Sequence, residues 1–430
     1  MAVIAIVFAA CNEPEPGEVP RICYDSGTRV AEWKRWTRGH ALAVATTGDG
    51  SLVFLGKATH DRPLNYGDAT FTDGHVIAAL DAEGRHLFSR SITLRPPIAR
   101  AVDGPGWLRT LRVGPPSATD PQGVIVVGGY VPNGSTSFAT EPLGSASALR
   151  LNREGEVLWS ALLEDAAGTL STNEVAADAA GNVVVVADFV PIPESFPNPP
   201  FAQGFVVAGF SAEGREVWRH RFGGDGNNLF ARGLALDAAG TITVVLAWDG
   251  STLPIDFGLG PVAPPASRTT LLVNFDQAGR TRWTKLVLEA NTTIEAVVPA
   301  ADGGIYVAGT QGRSNLGDVY RIDLVVARLD PSGELLWSRR FLPAAQQDGS
   351  LLARDPCGAI VVTANTRDGL AGDQLFLRLD QAGNVTEERL LGQGRSGGVY
   401  GLAAWRNQAF LLGGTGDAAA GEAVVTRLSR

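Results

Sequence analysis

The stretch "LVVARLDPSGELLWSRRF", residues 324–341, decides the fold. Two apolar runs flank Asp330-Pro331-Ser332-Gly333, and Trp337 follows four residues after the glycine. An Asp at the first turn position accepts a backbone hydrogen bond. A Gly at the last supplies the positive φ that a three-residue loop with a bulge requires. The stretch therefore reads as two antiparallel strands joined by a tight turn.

It is one of six copies. The others begin at Val76 ("VIAALDAEGRHLFSRSI"), Ala148 ("ALRLNREGEVLWSALL"), Phe205 ("FVVAGFSAEGREVWRHRF"), Leu271 ("LLVNFDQAGRTRWTKLV") and Leu375 ("LFLRLDQAGNVTEERLL"). The turn glycines are Gly84, Gly155, Gly214, Gly279, Gly333 and Gly383, spaced 71, 59, 65, 54 and 50 residues apart. Trp159, Trp218, Trp283 and Trp337 each follow their glycine by four residues, and Phe88 and Glu387 take that place in the other two copies. Seven copies of a second hairpin alternate with these, at Leu42, Asp120, Val175, Leu234, Val297, Leu352 and Leu402 ("VAADAAGNVVVVADF" is typical). Each unit is thus four strands. Such a unit cannot bury both faces alone, whereas a radial array of them can.

The ends give the count. The final segment "AVVTRLSR", residues 423–430, reads as the first half of a seventh D-x-x-G hairpin, and "RVAEWKRWTRG", residues 29–39, reads as its second half, with Trp33 in the Trp place. The expected fold is all-β: a single closed seven-bladed β-propeller of four-stranded blades over residues 29–430, its N-terminal strand completing the last blade. The repeated indoles then pack against the neighbouring blade and pass their N–H to a backbone carbonyl.

The 52 glycines and 19% charged residues suit many short strands rather than long amphipathic helices. A formal charge of −9 argues against a nucleic-acid partner. Residues 2–10 are wholly apolar, too few to span a bilayer, and end in Ala9-Ala10-Cys11. This resembles a bacterial lipoprotein signal: residues 1–10 a signal peptide, Cys11 the acylated residue, and 11–28 a lipidated tether. Asn12 after the cysteine resembles the outer-membrane default, so the expected location is the envelope or surface of a Gram-negative cell. In an oxidising compartment Cys23 and Cys357 could form a disulfide, the alternative being two thiols.

The "V-A-x-x-D-x-x-G-x-x-x-W" and "D-x-x-G-x-x-V-V-A-G" rhythms resemble secreted bacterial propellers of the seven-bladed repeat (SBBP-like) and delta-60-repeat kinds. The resemblance implies a cell-surface propeller with no assigned activity. Pyrroloquinoline-quinone enzymes carry a similar docking motif, but the turn here is one residue shorter and lacks the Thr. The sialidase Asp-box also differs in spacing, and "SAEGREVW" at Ser211 only mimics it.

Catalytic motifs are absent from the sequence. His40, His60, His75, His86 and His220 have no paired ligand spacing, and His86 and His220 read as solvent-facing. No cysteine has a catalytic setting, and "GGDGNN" at 223–228 reads as a Gly-rich turn. No metal and no cofactor is expected. With strands lettered a to d from the axis outward, the a–b and c–d turns are short and share one face. The b–c and d–a connections share the other and vary in length. Asp61, Tyr66, Trp107, Phe196, Phe201 and Asp249 are candidate binding residues on that variable face. The expected function is a monomeric, non-enzymatic scaffold that binds a protein or glycan there and meets the membrane only through its lipid. The alternative is a quinoprotein-like or polysaccharide-acting propeller enzyme with its site at the channel mouth.

Overall fold

A computed structural model describes residues 34–38, 40–58, 60, 63–66, 69–92, 107–116, 123–132, 144–165, 168–191, 203–224, 227–249, 253–265, 268–287, 292–313, 321–341, 346–367, 372–391, 399–414 and 422–429. Seven four-stranded antiparallel sheets follow one another around a ring, with two short extra hairpins. Blade 1 is His40–Thr46, Leu52–Ala58, Gly74–Leu80 and His86–Ile92, strands a to d in order. Blades 2 to 6 repeat this order over residues 107–163, 168–224, 229–287, 292–341 and 346–391. Blade 7 takes its a, b and c strands from Val399–Trp405, Gln408–Gly414 and Glu422–Ser429, and its d strand is Lys34–Arg38. That strand pairs antiparallel from Lys34 opposite Thr426 to Arg38 opposite Glu422. The protein is a seven-bladed β-propeller closed by its own N-terminal strand; Trp33 lies outside the described residues.

The core lies between blades. Strands b are buried along their length, as in Leu52–Ala58 and Ile242–Trp248, because a neighbouring blade covers each face. One such layer joins Val186, Phe205 and Val207 of blade 3 to Leu229, Val244 and Leu271 of blade 4. The outer strands are half-exposed.

The c–d turns are built as their composition dictates. Asn152 N–H donates to the Glu156 carbonyl at 2.9 Å and Gly155 N–H to the Asn152 carbonyl at 3.0 Å. In the equivalent turn of blade 1, Asp81 Oδ1 accepts from the N–H groups of Glu83 at 3.0 Å and Arg85 at 2.8 Å. Gly84, Gly155, Gly214, Gly279, Gly333 and Gly383 have φ between +78° and +83°. Just after each turn the d strand carries one extra residue. Leu151 opposes Val157 and Arg150 opposes Trp159, which leaves Leu158 unpaired and 52% exposed. This bulge moves the Trp onto the face toward the next blade.

A second irregularity was not expected. All seven innermost strands slip register once against strand b, between Ala41/Ala43, Leu108/Thr110, Thr172/Glu174, Ala231/Gly233, Ile294/Ala296, Asp348/Ser350 and Val399/Gly401. The expected uniformity of the turns also has an exception: the a–b connection of blade 2 runs from 114 to 124, where most others span five residues.

Candidate functional site

The turn face is locked blade to blade. Trp159 Nε1 donates to the Ala212 carbonyl at 2.9 Å, Trp218 to Gln277 at 3.2 Å, Trp283 to Pro331 at 3.0 Å and Trp337 to Gln381 at 3.0 Å. Each acceptor is the second residue of the next blade's c–d turn. The same indole lies on that turn's glycine: a Cβ on Gly214 would come within 2.7 Å of Trp159, and one on Gly279 within 2.6 Å of Trp218. Gly333 and Gly383 meet Trp283 and Trp337 in the same way, and Gly155 meets Phe88. The turn glycine is therefore required twice, for its positive φ and for the ring upon it.

Glu387 interrupts this series for a topological reason. Strands c and d of blade 7 come from distant parts of the chain, so no D-x-x-G turn joins them and there is no glycine for an aromatic to cover. Ion pairs fill the seam instead. Arg378, 2% exposed at its side chain, sits 3.1 Å from Glu387 and 3.7 Å from the fully buried Asp355, and donates to the Asn407 carbonyl at 3.0 Å. Burial pushes the Asp355 carboxyl up, against hydrogen bonds from the Asn407 and Ala359 N–H groups and the pull of Arg378. Between blades 7 and 1, Arg427 donates to the Ala82 carbonyl at 2.8 Å and Thr46 to the Ala404 carbonyl at 3.1 Å.

Deeper in the ring, polar side chains reach the bulged innermost strands. Residues just before three of the bulges donate their N–H across the seam: Leu108 to His75 Nε2 at 3.1 Å, Ala231 to Asp188 Oδ1 at 2.8 Å, and Ile294 to Thr270 Oγ1 at 2.9 Å. Ser350 N–H donates to Glu295 Oε2 at 2.7 Å. A bulge frees a backbone donor, and a buried donor must be satisfied. His75 is lowered to about 4, by burial first and then by Lys57, with Asp73 opposing. Innermost strands also carry an ion pair, Arg112 to Glu174 at 2.7 Å, in which burial raises the Glu174 carboxyl against the pull of Arg112. Charged groups thus line strands that read as small and apolar. His75, Asp188, Thr270, Glu295 and the Arg112–Glu174 pair carried no motif by which sequence could find them.

The loop face holds the expected binding residues unevenly. Asp61, Phe196 and Phe201 lie outside the described residues, as do Cys11 and Cys23. Tyr66 closes the short strand Leu64–Tyr66 of an extra hairpin, and Trp107 opens strand a of blade 2 opposite Tyr130. Asp249 is half-buried, and its N–H donates to the Asn228 carbonyl at 3.1 Å. These three belong to blades 1, 2 and 4. Cys357 lies in the a–b turn of blade 6, where burial raises its thiol to about 11.

The connection 249–268 serves packing at least in part. Its hairpin, Ile255–Asp256 paired with Pro261–Val262, buries Phe257 to 1% exposure. Phe257 packs 5.3 Å from Phe222 and 6.5 Å from Phe205, ring to ring. His220, expected to face solvent, is half-buried between Trp218 and Phe222 in the same aromatic row; His86 is exposed. The hairpin leaves Leu253 and Leu259 more than half exposed. Nearby on the loop face, Arg221 lies 4.9 Å over the Phe189 ring and 3.3 Å from Asp165. Among the described residues no group of three His, Cys, Asp or Glu side chains could hold a metal, and no helix is long and apolar enough to cross a membrane.

The class this geometry defines is a seven-bladed propeller whose turn face is tied from blade to blade by indoles at four seams. No protein-family model and no curated protein matches the chain. Among solved structures it is similar to a protein of unknown function from Dyadobacter fermentans, at 12% identity over 92% of this chain and 95% of that one, with a TM-score of 0.45. The Neurospora crassa Pan2 WD40 domain gives 12% identity over 90% and 89%, with a TM-score of 0.46. A variant of the Synechocystis apocarotenoid oxygenase gives 13% over 81% and 71%, with a TM-score of 0.44. None of these likenesses bears on what this chain binds.

Proposed function

We propose that this propeller is a non-enzymatic scaffold held at the cell surface through an acylated Cys11, which binds a protein or glycan through its loop face. The contrast between the two faces supports this reading. Turns on one face are short apart from 114–124, and indoles close four of them, whereas b–c connections on the other run from four residues, 368–371, to twenty, 249–268. Length variation on a rigid frame is how such scaffolds accommodate recognition. On the innermost strands Arg112 with Glu174 and Glu295 with Ser350 are engaged between blades, while Arg232 is exposed beside Phe230 of its own strand. Two measurements test the proposal. Cys11→Ser should move the protein from the membrane fraction to the soluble exported fraction. The purified propeller, screened over immobilised glycans and envelope proteins, should lose its binding when 133–143 and 192–202 are replaced by short Gly-Ser links. Binding that survives this replacement at unchanged affinity refutes the loop-face reading, and an unmodified N-terminal peptide beginning at Met1 in cytoplasmic protein refutes the anchor.

A further inference from the structure

The turn face opens between blades 3 and 4. A cavity of about 210 Å³ opens there, walled by Phe210, Val217, Trp218, Leu236 and Ile242 and bordered by Gly209, Gly240 and Gln277. Drug-sized ligands occupy roughly 300 Å³ or more, so this space suits a single side chain.

The other seams show what belongs there. The residue opposite the Trp place of strand d is an arginine in blades 2, 5 and 6: Arg150 and Arg328 face a Trp, and Arg378 faces Glu387. Arg150 crosses to blade 3, lying against the a–b turn glycine Gly181 and donating to the Ala212 carbonyl at 2.7 Å. That carbonyl also receives Trp159 Nε1 at 2.9 Å, so one oxygen takes both an indole and a guanidinium. Gln381 does the same for Trp337, at 3.0 Å, and Arg328, at 3.4 Å. In blade 3 the corresponding residue is Gly209, opposite Trp218. The cavity is bordered by Gly240 and Gln277, the counterparts of Gly181 and Ala212, and the Gln277 side chain lies on Gly240 as that of Gln381 lies on Gly358. Trp218 Nε1 reaches the Gln277 carbonyl, whose second lone pair has no arginine to meet. Blades 1 and 4 lack the arginine too: in blade 1 Ala79 faces Phe88, and in blade 4 the buried Asn274 takes the place and donates to Thr243 at 2.9 Å.

We infer that the seam between blades 3 and 4 is a receptor slot for an arginine side chain presented by a polypeptide partner, which lays its stem on the apolar wall and donates its guanidinium to the Gln277 carbonyl. The chain's charge of −9 favours a basic partner. The slot is on the opposite face from the loops and stands independently of the proposed function.

Selective ¹⁵N labelling of tryptophan tests it. The chain has nine indoles, and Trp218→Phe assigns the Trp218 N–H signal. The probes are the tripeptide acetyl-Gly-Arg-Gly-amide and its citrulline counterpart, which keeps the shape and removes the charge. The Trp218 signal should shift saturably with the arginine peptide while the other indoles stay still, and the citrulline peptide should bind about tenfold more weakly. Gly209→Arg should fill the slot from within and abolish the response. A Cβ there would lie 2.3 Å from the Trp218 ring, so the indole must yield. If that variant does not fold, the comparison of the two peptides on the unaltered chain decides. No saturable shift, equal shifts with both peptides, or parallel shifts of all indoles would overturn the inference.

Discussion

The contact between Trp159 and Gly214 makes a quantitative prediction, because two separable costs meet at one atom. Gly214 has φ +83°, and its missing Cβ would lie 2.7 Å from Cδ2 and 2.8 Å from Cγ of Trp159. In Gly214→Ala, the left-handed backbone costs about 1–2 kcal/mol. Pushing the indole aside adds about 1–3 kcal/mol, as overpacking does elsewhere. The single substitution should therefore cost about 2–5 kcal/mol. Trp159→Ala should cost about 2–4 kcal/mol, toward the low end for large aromatics because the ring is half-buried, and including its hydrogen bond to Ala212. With the ring gone, alanine at 214 pays only the backbone cost. The double variant should thus be about 1–3 kcal/mol less destabilised than the sum of the singles. Urea unfolding followed by circular dichroism measures all four proteins, with a constant m-value required for the comparison. Additivity within about 0.5 kcal/mol would show that the indole does not rest on the glycine, and would remove the steric half of the argument.

Three further outcomes follow from other seams. Deleting residues 12–38 removes strand d of blade 7 and bares the edge of Glu422–Ser429, so the truncated protein should associate in size-exclusion chromatography; a monomer with unchanged melting temperature contradicts this. Arg378→Met strands Asp355 and Glu387 in a buried seam and should cost about 3–5 kcal/mol, whereas Glu387→Trp should not stabilise, having no turn glycine to cover; unfolding midpoints distinguish these. His75 titrates near 4 when folded against an ordinary 6.5, so its contribution is complete above pH 6.5 and is lost as pH falls toward 4, by up to about 3 kcal/mol. His75→Gln should flatten the loss of melting temperature across that window, and an unchanged pH profile would show that His75 does not carry it.

The sequence by itself determined the blades, because their signals are local. Asp and Gly at fixed turn positions, β-branched runs on either side, and a split hairpin at the two ends suffice to specify four strands, seven units and a ring closed by a strand within residues 29–39. The tertiary structure decided what each repeated side chain touches. Trp159 and Gly214 are 55 positions apart, and no propensity links them until two blades stand side by side. Glu387 looks like a decayed Trp in the sequence, and only the topology of blade 7 gives it a reason. The seven slips in the innermost strands each add one residue, Leu42, Arg109, Asn173, Arg232, Glu295, Gly349 and Tyr400, and these share no residue type that a repeat search could find. Donors beside four of them are met by His75, Asp188, Thr270 and Glu295, which read as ordinary polar positions along their own strands. Their partners lie in the next blade, at sequence distances where a linear reading has no period to follow.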